Sequence, residues 1–234
     1  MALFFLDENA ISFPSPQIAD RDGLLAVGGD LNVDRLLAAY RLGIFPWYSE
    51  GDPILWWSPD PRLILIPHGI HVSRRLRRTM NKGEFTFTMD TVFEDVITSC
   101  ANVRRGFREG TWIVDEMIDA YTRLHKAGYA HSVEAWQADR LVGGLYGVAI
   151  GSCFFGESMF TTVSNASKAA FVKLTAFLVQ NGFAMIDCQV TTPHLVRFGA
   201  EEIPREHFLK VLEKCVAQPT LKGKWRLEQA PVSR

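Results

Sequence analysis

The segment Ile186-Asp187-Cys188-Gln189-Val190 sets a carboxylate and an amide two residues apart inside an apolar run. In an extended strand successive side chains alternate between faces. Asp187 and Gln189 are therefore expected to project together, opposite Ile186, Cys188 and Val190. A polar pair in such surroundings must be partnered or must line a cavity. A cavity-lining site that accepts and orients protons and a satisfied structural hydrogen bond both account for the pattern. Glu157, within Phe154-Phe155-Gly156-Glu157-Ser158-Met159-Phe160, poses the same question, with a solvent-exposed turn acid as the competing reading. Trp47, after Phe45-Pro46, and Trp112, after Gly110-Thr111, sit in loop contexts from which indole rings can stack on nucleobases, or else pack in a core. Trp56 and Trp57 read as core.

The motifs that are missing narrow the chemistry. No G-x-G-x-x-G and no G-x-x-x-x-G-K-[ST] occurs, so neither a dinucleotide nor a P-loop nucleotide site is supported. H-E-x-x-H and G-x-S-x-G are absent too. None of Cys100, Cys153, Cys188 and Cys215 is spaced as C-x-x-C, which argues against a zinc or thioredoxin-like site and for a reducing compartment. MALFFLDENA is too short for a signal peptide, and no stretch approaches the ~20 apolar residues of a membrane span, so the chain reads as soluble and cytoplasmic.

The elements that must position these groups can be outlined. Residues 1–61 are rich in Pro, Gly, Asp and Trp and read as a small irregular N-terminal domain with one helix, Val33 to Gly43, and a boundary at Ser58-Pro59-Asp60-Pro61. A catalytic domain, 62–234, follows. A strand from Arg62 leads to a helix that Ser73 can cap. On it Arg74, Arg75, Arg78 and Lys82 share one face, Arg77 lies at the margin, and Leu76 and Met80 point away. The charge is concentrated there. The whole chain has a formal net charge of −1, yet residues 62–108 hold nine basic and four acidic residues. Such a block points to contact with a polyanion, or to a solvated charged face.

Further helices are expected near 91–101 and 114–127, then three closely spaced and therefore antiparallel strands over 131–160. A strong helix after Asn165, a strand over 183–190 and a helix over 204–217 complete the outline, with a loosely structured tail from Gln218. The class is α+β. The order is similar to the core of GNAT acyltransferases, but the segment before the central helix, TTVSNASKAA, has no glycine to hold a coenzyme A pyrophosphate, which disfavours acetyl-CoA.

GLLAVGGDL, YRLGIFPWYS, DPILWWSPDPR, EGTWI, GYAHSVE, LVGGLYG, GESMF, NASK and IDCQV occur in this order. Together they closely resemble the bacterial leucyl/phenylalanyl-tRNA–protein transferases, from about Ile11 to about Arg205. The resemblance implies a GNAT-like C-terminal domain. It implies transfer of Leu or Phe from aminoacyl-tRNA to proteins that begin with Arg or Lys, which marks them for N-degron proteolysis. It implies a catalytic pair at Asp187 and Gln189 with Glu157 nearby, and adenosine stacking by Trp47 and Trp112. It also implies an amino-acid pocket of Leu145, Phe171, Leu174, Leu178 and Ile186, and tRNA-backbone contacts from Arg74, Arg75, Arg77, Arg78 and Lys82. Asn81 interrupts that basic run. An aminoacyl ester is already activated, so no cofactor and no metal are expected, and the enzyme is expected to be a monomer. Asp187 and Glu157 would also place negative charge where a basic N-terminal side chain sits. An apolar pocket sorts by shape and size, at about 1–3 kcal/mol per methylene, so Leu, Phe and Met are all expected to be accepted to some degree, and the resemblance implies Met less well.

Overall fold

The computed structural model describes residues 4–8, 10–105 and 113–227. Near the N-terminus lie β1 (Phe4–Leu6), β2 (Leu24–Gly28), α1 (Val33–Arg41), β3 (Phe45–Pro46) and β4 (Leu55–Trp57). The strands form a four-stranded sheet in the order β1-β2-β4-β3. The region is thus more regular than its turn-rich sequence indicates. Strands of two to five residues are too short to display a period-two pattern.

The second sheet contains β5 (Arg62–Leu65), β6 (Thr86–Met89), β7 (Ala130–Gln137), β8 (Arg140–Ile150), β9 (Cys153–Thr161), β10 (Met185–Gln189) and β11 (Glu201–Ile203). Its order is β11-β5-β10-β9-β8-β7-β6. The short turns between β7, β8 and β9 make these pairs antiparallel, as expected. β10 instead runs parallel to β9, because α5 (Ala166–Gln180) carries the chain back across the sheet between them. The remaining helices are α2 (Arg74–Asn81), α3 (Phe93–Arg105), α4 (Asp115–Lys126), α6 (Pro193–Val196) and α7 (Arg205–Val216). The helices expected from periodicity are all present, and Ser73 caps α2 by accepting the Leu76 N–H at 3.3 Å. No described helix is long and apolar enough to cross a membrane.

Alternation along the central strands divides the core in two. Tyr146, Phe155 and Met185 enter one apolar cluster with Tyr40 of α1, Ile97 of α3, Tyr121 of α4 and Phe208 of α7. Leu145, Phe154 and Ile186 enter another with Leu76 of α2 and Phe171, Leu174 and Leu178 of α5. With both faces covered, β8 reads as a nearly continuous apolar run rather than an alternating one. Gly143 lets α5 pack closely on it, since a Cβ there would lie 2.6 Å from the Ala166 Cβ. The first 61 residues share the first cluster through Leu36, Tyr40 and Trp56, so they are joined to the rest by common packing. The tail also departs from expectation. Trp225 is buried, stacks on His131 with ring centroids 3.7 Å apart, and donates its backbone N–H to Asp90 at 2.7 Å.

Candidate active site

β10 sits between β5 and β9, so its side chains meet Arg62 on one side and Glu157 on the other. The β10–β5 register shifts between Asp187 and Gln189, and Gln189 adopts φ +62°. A non-glycine residue in the left-handed region is strained and persists only where its surroundings hold it. Despite the bulge, Asp187 reaches Arg62, packed on Phe45 and Phe208, and Gln189 reaches Glu157, bonded to Tyr40 and Tyr121, so both are directed toward the first cluster while Ile186 and Cys188 enter the second. Gln189 lines the cavity described below, while Asp187 stays fully buried and off the cavity wall.

Asp187 is held in a bidentate pair with Arg62, at 2.8 Å to Nε and 2.7 Å to Nη2. Asp187 Oδ1 also accepts the backbone N–H of Gln189 at 2.9 Å. Both Asp187 oxygens are thus engaged inside the core and off the cavity wall, so the Asp187 charge is committed to Arg62 rather than placed, as expected, where a basic substrate side chain sits. A buried charge without its partner would be destabilising by about 3–5 kcal/mol. Arg62 was not singled out in the sequence. The one available signal was an arginine opening the apolar run RLILIP, which must find an acid if it is buried.

Glu157 lies inside β9 rather than in an exposed turn. The β8–β9 register shifts at Tyr146/Gly147, and Glu157 is the extra residue, between Gly156 opposite Gly147 and Ser158 opposite Tyr146. Gly147 permits the close approach, because a Cβ there would fall 2.2 Å from the Phe155 carbonyl oxygen. The carboxylate accepts from the Tyr40 hydroxyl at 2.8 Å, the Tyr121 hydroxyl at 3.1 Å and Gln189 Nε2 at 2.8 Å. The two phenol oxygens also lie against each other, and with one proton each they can share a hydrogen bond only when one of them does not donate to Glu157 or when Glu157 is protonated. Burial pushes the Glu157 pKa up to about 7; the bonds from Tyr40, Tyr121 and Gln189 oppose the rise, and the nearby Asp187 charge adds to it. Burial and the Glu157 charge drive both tyrosines well above the usual phenol range, so they remain donors. Glu157 is therefore a carboxyl that changes protonation state near neutrality, as a general base requires. Gln189 gives its amide nitrogen to Glu157, which leaves its oxygen free to accept from an incoming N–H.

These groups border a cavity of about 360 Å³. Its apolar wall includes Leu145, Phe171, Leu174 and Ile186, each expected from the sequence, and also Met159, Leu195 and Phe45, which were not. Leu178, expected with them, is fully buried in the core one turn beyond Leu174 and does not line the cavity. Trp47 stands at the cavity, 41% exposed, with its backbone tied to β4 by a bond from its N–H to the Leu55 carbonyl at 2.9 Å. Trp112 lies outside the described residues.

On α2, Leu76 is buried, and Arg74, Arg75, Arg77, Arg78 and Lys82 are all exposed. Lys82 lies 3.4 Å from the exposed Glu84. The first turn of α2 has no acidic residue and instead carries Arg74 and Arg75 at the positive end of the helix dipole. Cations are unfavourable there by a few tenths of a kcal/mol, an arrangement that suits binding of an external anion.

Comparison with known proteins supplies the remaining information. The sequence profile for the leucyl/phenylalanyl-tRNA protein transferase family matches residues 64–213, and that for its N-terminal domain matches residues 29–60. The chain is 60% identical to a leucyl/phenylalanyl-tRNA–protein transferase of Desulfatibacillum aliphaticivorans over 228 residues, 97% of each chain. It is 56% identical to one from Anaeromyxobacter sp. (strain Fw109-5), again over 97% of each chain. Among solved structures, an aminoglycoside acetyltransferase from an uncultured soil metagenomic sample aligns with a TM-score of 0.40 and 10% identity, covering 50% of this chain and 86% of that one. By profile and by identity over nearly its whole length, the chain belongs to the leucyl/phenylalanyl-tRNA protein transferase family and is an aminoacyltransferase.

Proposed function

We propose that this protein transfers leucine or phenylalanine, and methionine less well, from aminoacyl-tRNA to the α-amino group of proteins that begin with arginine or lysine, and that in the cytoplasm this marks them for N-degron proteolysis. The observation that carries the proposal is an apolar cavity whose wall bears the Glu157–Gln189 pair. The esterified side chain enters among Leu145, Phe171, Leu174 and Ile186, where shape and size set the preference. The first 61 residues supply Phe45, Pro46 and Trp47, and Trp47 stacks on the terminal adenosine of the donor. The groups that act on the reacting atoms lie from Arg62 onward, with Tyr40 of the first 61 residues donating to Glu157.

The acceptor amine, with an ordinary pKa of about 7.7–8.0, is partly neutral at cell pH. It attacks the ester carbonyl carbon, the C–N bond forms and the C–O bond to the ribose breaks. Gln189 accepts one N–H and orients the amine. Glu157 takes the proton that the nitrogen must lose and returns it to the leaving ribose oxygen. Alignment alone can lower such a barrier by roughly 7–11 kcal/mol. The test is radiolabel transfer from leucyl-tRNA to an arginine-starting peptide, expected with intact tRNA and absent after ribonuclease treatment. Failure to label the peptide with intact tRNA would exclude this reading.

The tRNA side of the proposal rests on α2. Its cations face solvent with no base-reading companion, so they contact phosphates. Changing Arg74 and Arg78 together to Ala should weaken different leucyl-tRNAs about equally. It should also reduce the log–log salt slope of binding by about 1.4–1.8, which filter binding over a salt series measures. An unchanged slope would place the tRNA site elsewhere.

A further inference from the structure

Arg62 is 1% exposed and lies outside the cavity wall. Its guanidinium forks onto both oxygens of Asp187 and lies between the rings of Phe45 and Phe208, 4.8 and 4.6 Å from their centroids. Its Nη1 is buried and has no hydrogen-bond partner among the described residues. Phe45 belongs to the cavity wall, and Phe208 lies on α7. Asp187 in turn accepts the N–H of Gln189, the residue held at φ +62°, and Gln189 Nε2 donates to Glu157.

We propose that Arg62 is a positioning residue for transfer: through Asp187 it locks the strained backbone of Gln189 and so fixes the Gln189–Glu157 bond in the geometry that receives the attacking amine. Asp187 acts in the same chain, as the link between guanidinium and backbone rather than as a group that touches substrate. The fork makes the device specific to arginine. A lysine ammonium restores the charge but grips the carboxylate at one point, leaving Asp187 free to rotate and Gln189 free to leave the left-handed region. This inference rests on the transfer reaction proposed above.

A purely packing role for Arg62 would leave the ionisation of Glu157 unchanged. Glu157 is faced by Tyr40 of α1, Tyr121 of α4, and Gln189 and Asp187 of β10, with Arg62 of β5 behind Asp187. Among these, the Gln189 bond favours the ionised carboxylate, and its loss makes Glu157 harder to ionise. Loosening Arg62 therefore moves the acid limb of the pH–rate profile upward, although Arg62 touches neither substrate nor Glu157.

The experiment is single-turnover transfer from leucyl-tRNA to an arginine-starting peptide, across about pH 5.5 to 9. It compares the natural protein with Arg62→Lys and Phe208→Leu, with melting curves as the folding control. The natural protein must label the peptide; if it does not, the proposed function fails and the variants are then judged by the Gln189 conformation in their crystal structures. For Arg62→Lys the expected result is a rate about 100-fold lower at neutral pH, as a misplacement near 1 Å can cause. Leucyl-tRNA affinity should stay within about threefold and the acid limb should move to higher pH. Phe208→Leu, which loosens the guanidinium from the α7 side, should shift both readouts the same way by a smaller amount. It decides alone if Arg62→Lys does not fold. A natural rate and limb in the folded variants, or a crystal structure of either with Gln189 unmoved, would overturn the proposal. A parallel loss of rate and tRNA affinity with an unshifted limb would also overturn it, by showing Arg62 to be a packing residue.

Discussion

Glu157→Gln should lower kcat/KM for the acceptor peptide by about 10²–10⁴ at pH 8, the range lost when a general base is removed. It should also change the shape of the pH profile. With acceptor subsaturating, two groups must lose a proton for transfer to proceed: Glu157, whose burial puts its pKa at about 7, and the acceptor amine, at about 7.7–8.0. Both losses favour the reaction as pH rises. The log of kcat/KM in the natural protein should therefore climb with a limiting slope of two below both values, and level off above pH 8. The amide cannot ionise, so the variant should climb with a slope of one, set by the amine alone. A stopped-assay profile over this range distinguishes the cases. A variant profile that kept a slope of two would show that the second proton belongs to another group, with the ribose hydroxyl of the tRNA as the remaining candidate. The substitution nearly preserves shape, so binding of leucyl-tRNA should hardly change.

What the sequence could disclose about this site follows from which forces act locally. The helices α2 and α5 were legible because each buries one face and exposes another at a 3.6-residue period, and because Ser73 marks a start. Leu145, Phe171, Leu174 and Ile186 were expected at one pocket and do line one cavity, whereas Leu178 does not. Periodicity assigns a helix face but cannot tell which turn of that face meets open space and which meets packed core. The bulges at Asp187/Gln189 and Tyr146/Gly147 left no mark in the pattern. Each adds a residue to one strand only, so it is a property of the pairing and not of either segment. For the same reason Glu157 appeared to occupy a turn, and the left-handed backbone of Gln189 was not foreseen. Arg62, Tyr40 and Tyr121 were illegible as site residues. Their partners are 125, 117 and 36 positions away in the chain, a separation at which composition and spacing carry no information.

Asp187→Ala and Gln189→Ala should both stop transfer, yet for different reasons that can be measured separately. Removing the Asp187 carboxylate leaves Arg62 as a buried cation without its anion, between Phe45 and Phe208. That should cost about 3–5 kcal/mol of folding stability, seen as a lower denaturation midpoint, in addition to a large loss of rate. Gln189→Ala leaves the ion pair intact and removes only the amide that links Glu157 to the acceptor amine. Its stability should fall much less, by about 1 kcal/mol for the lost bond to Glu157, since glutamine and alanine carry the same Cβ strain at this positive φ. Gln189→Gly removes that strain and should regain the stability but not the activity, which separates backbone from side chain. Both Gln189 variants lose a bond that favours ionised Glu157, so any residual activity should require a higher pH than in the natural protein. Single-turnover rates with leucyl-tRNA saturating, set beside urea melts of the same preparations, give the two axes. If Asp187→Ala proved as stable as the natural protein, the buried pair would not be the anchor its geometry indicates. If Gln189→Gly transferred at the natural rate, the amide would have no part in receiving the amine, and orientation would fall to Glu157 and the tRNA alone.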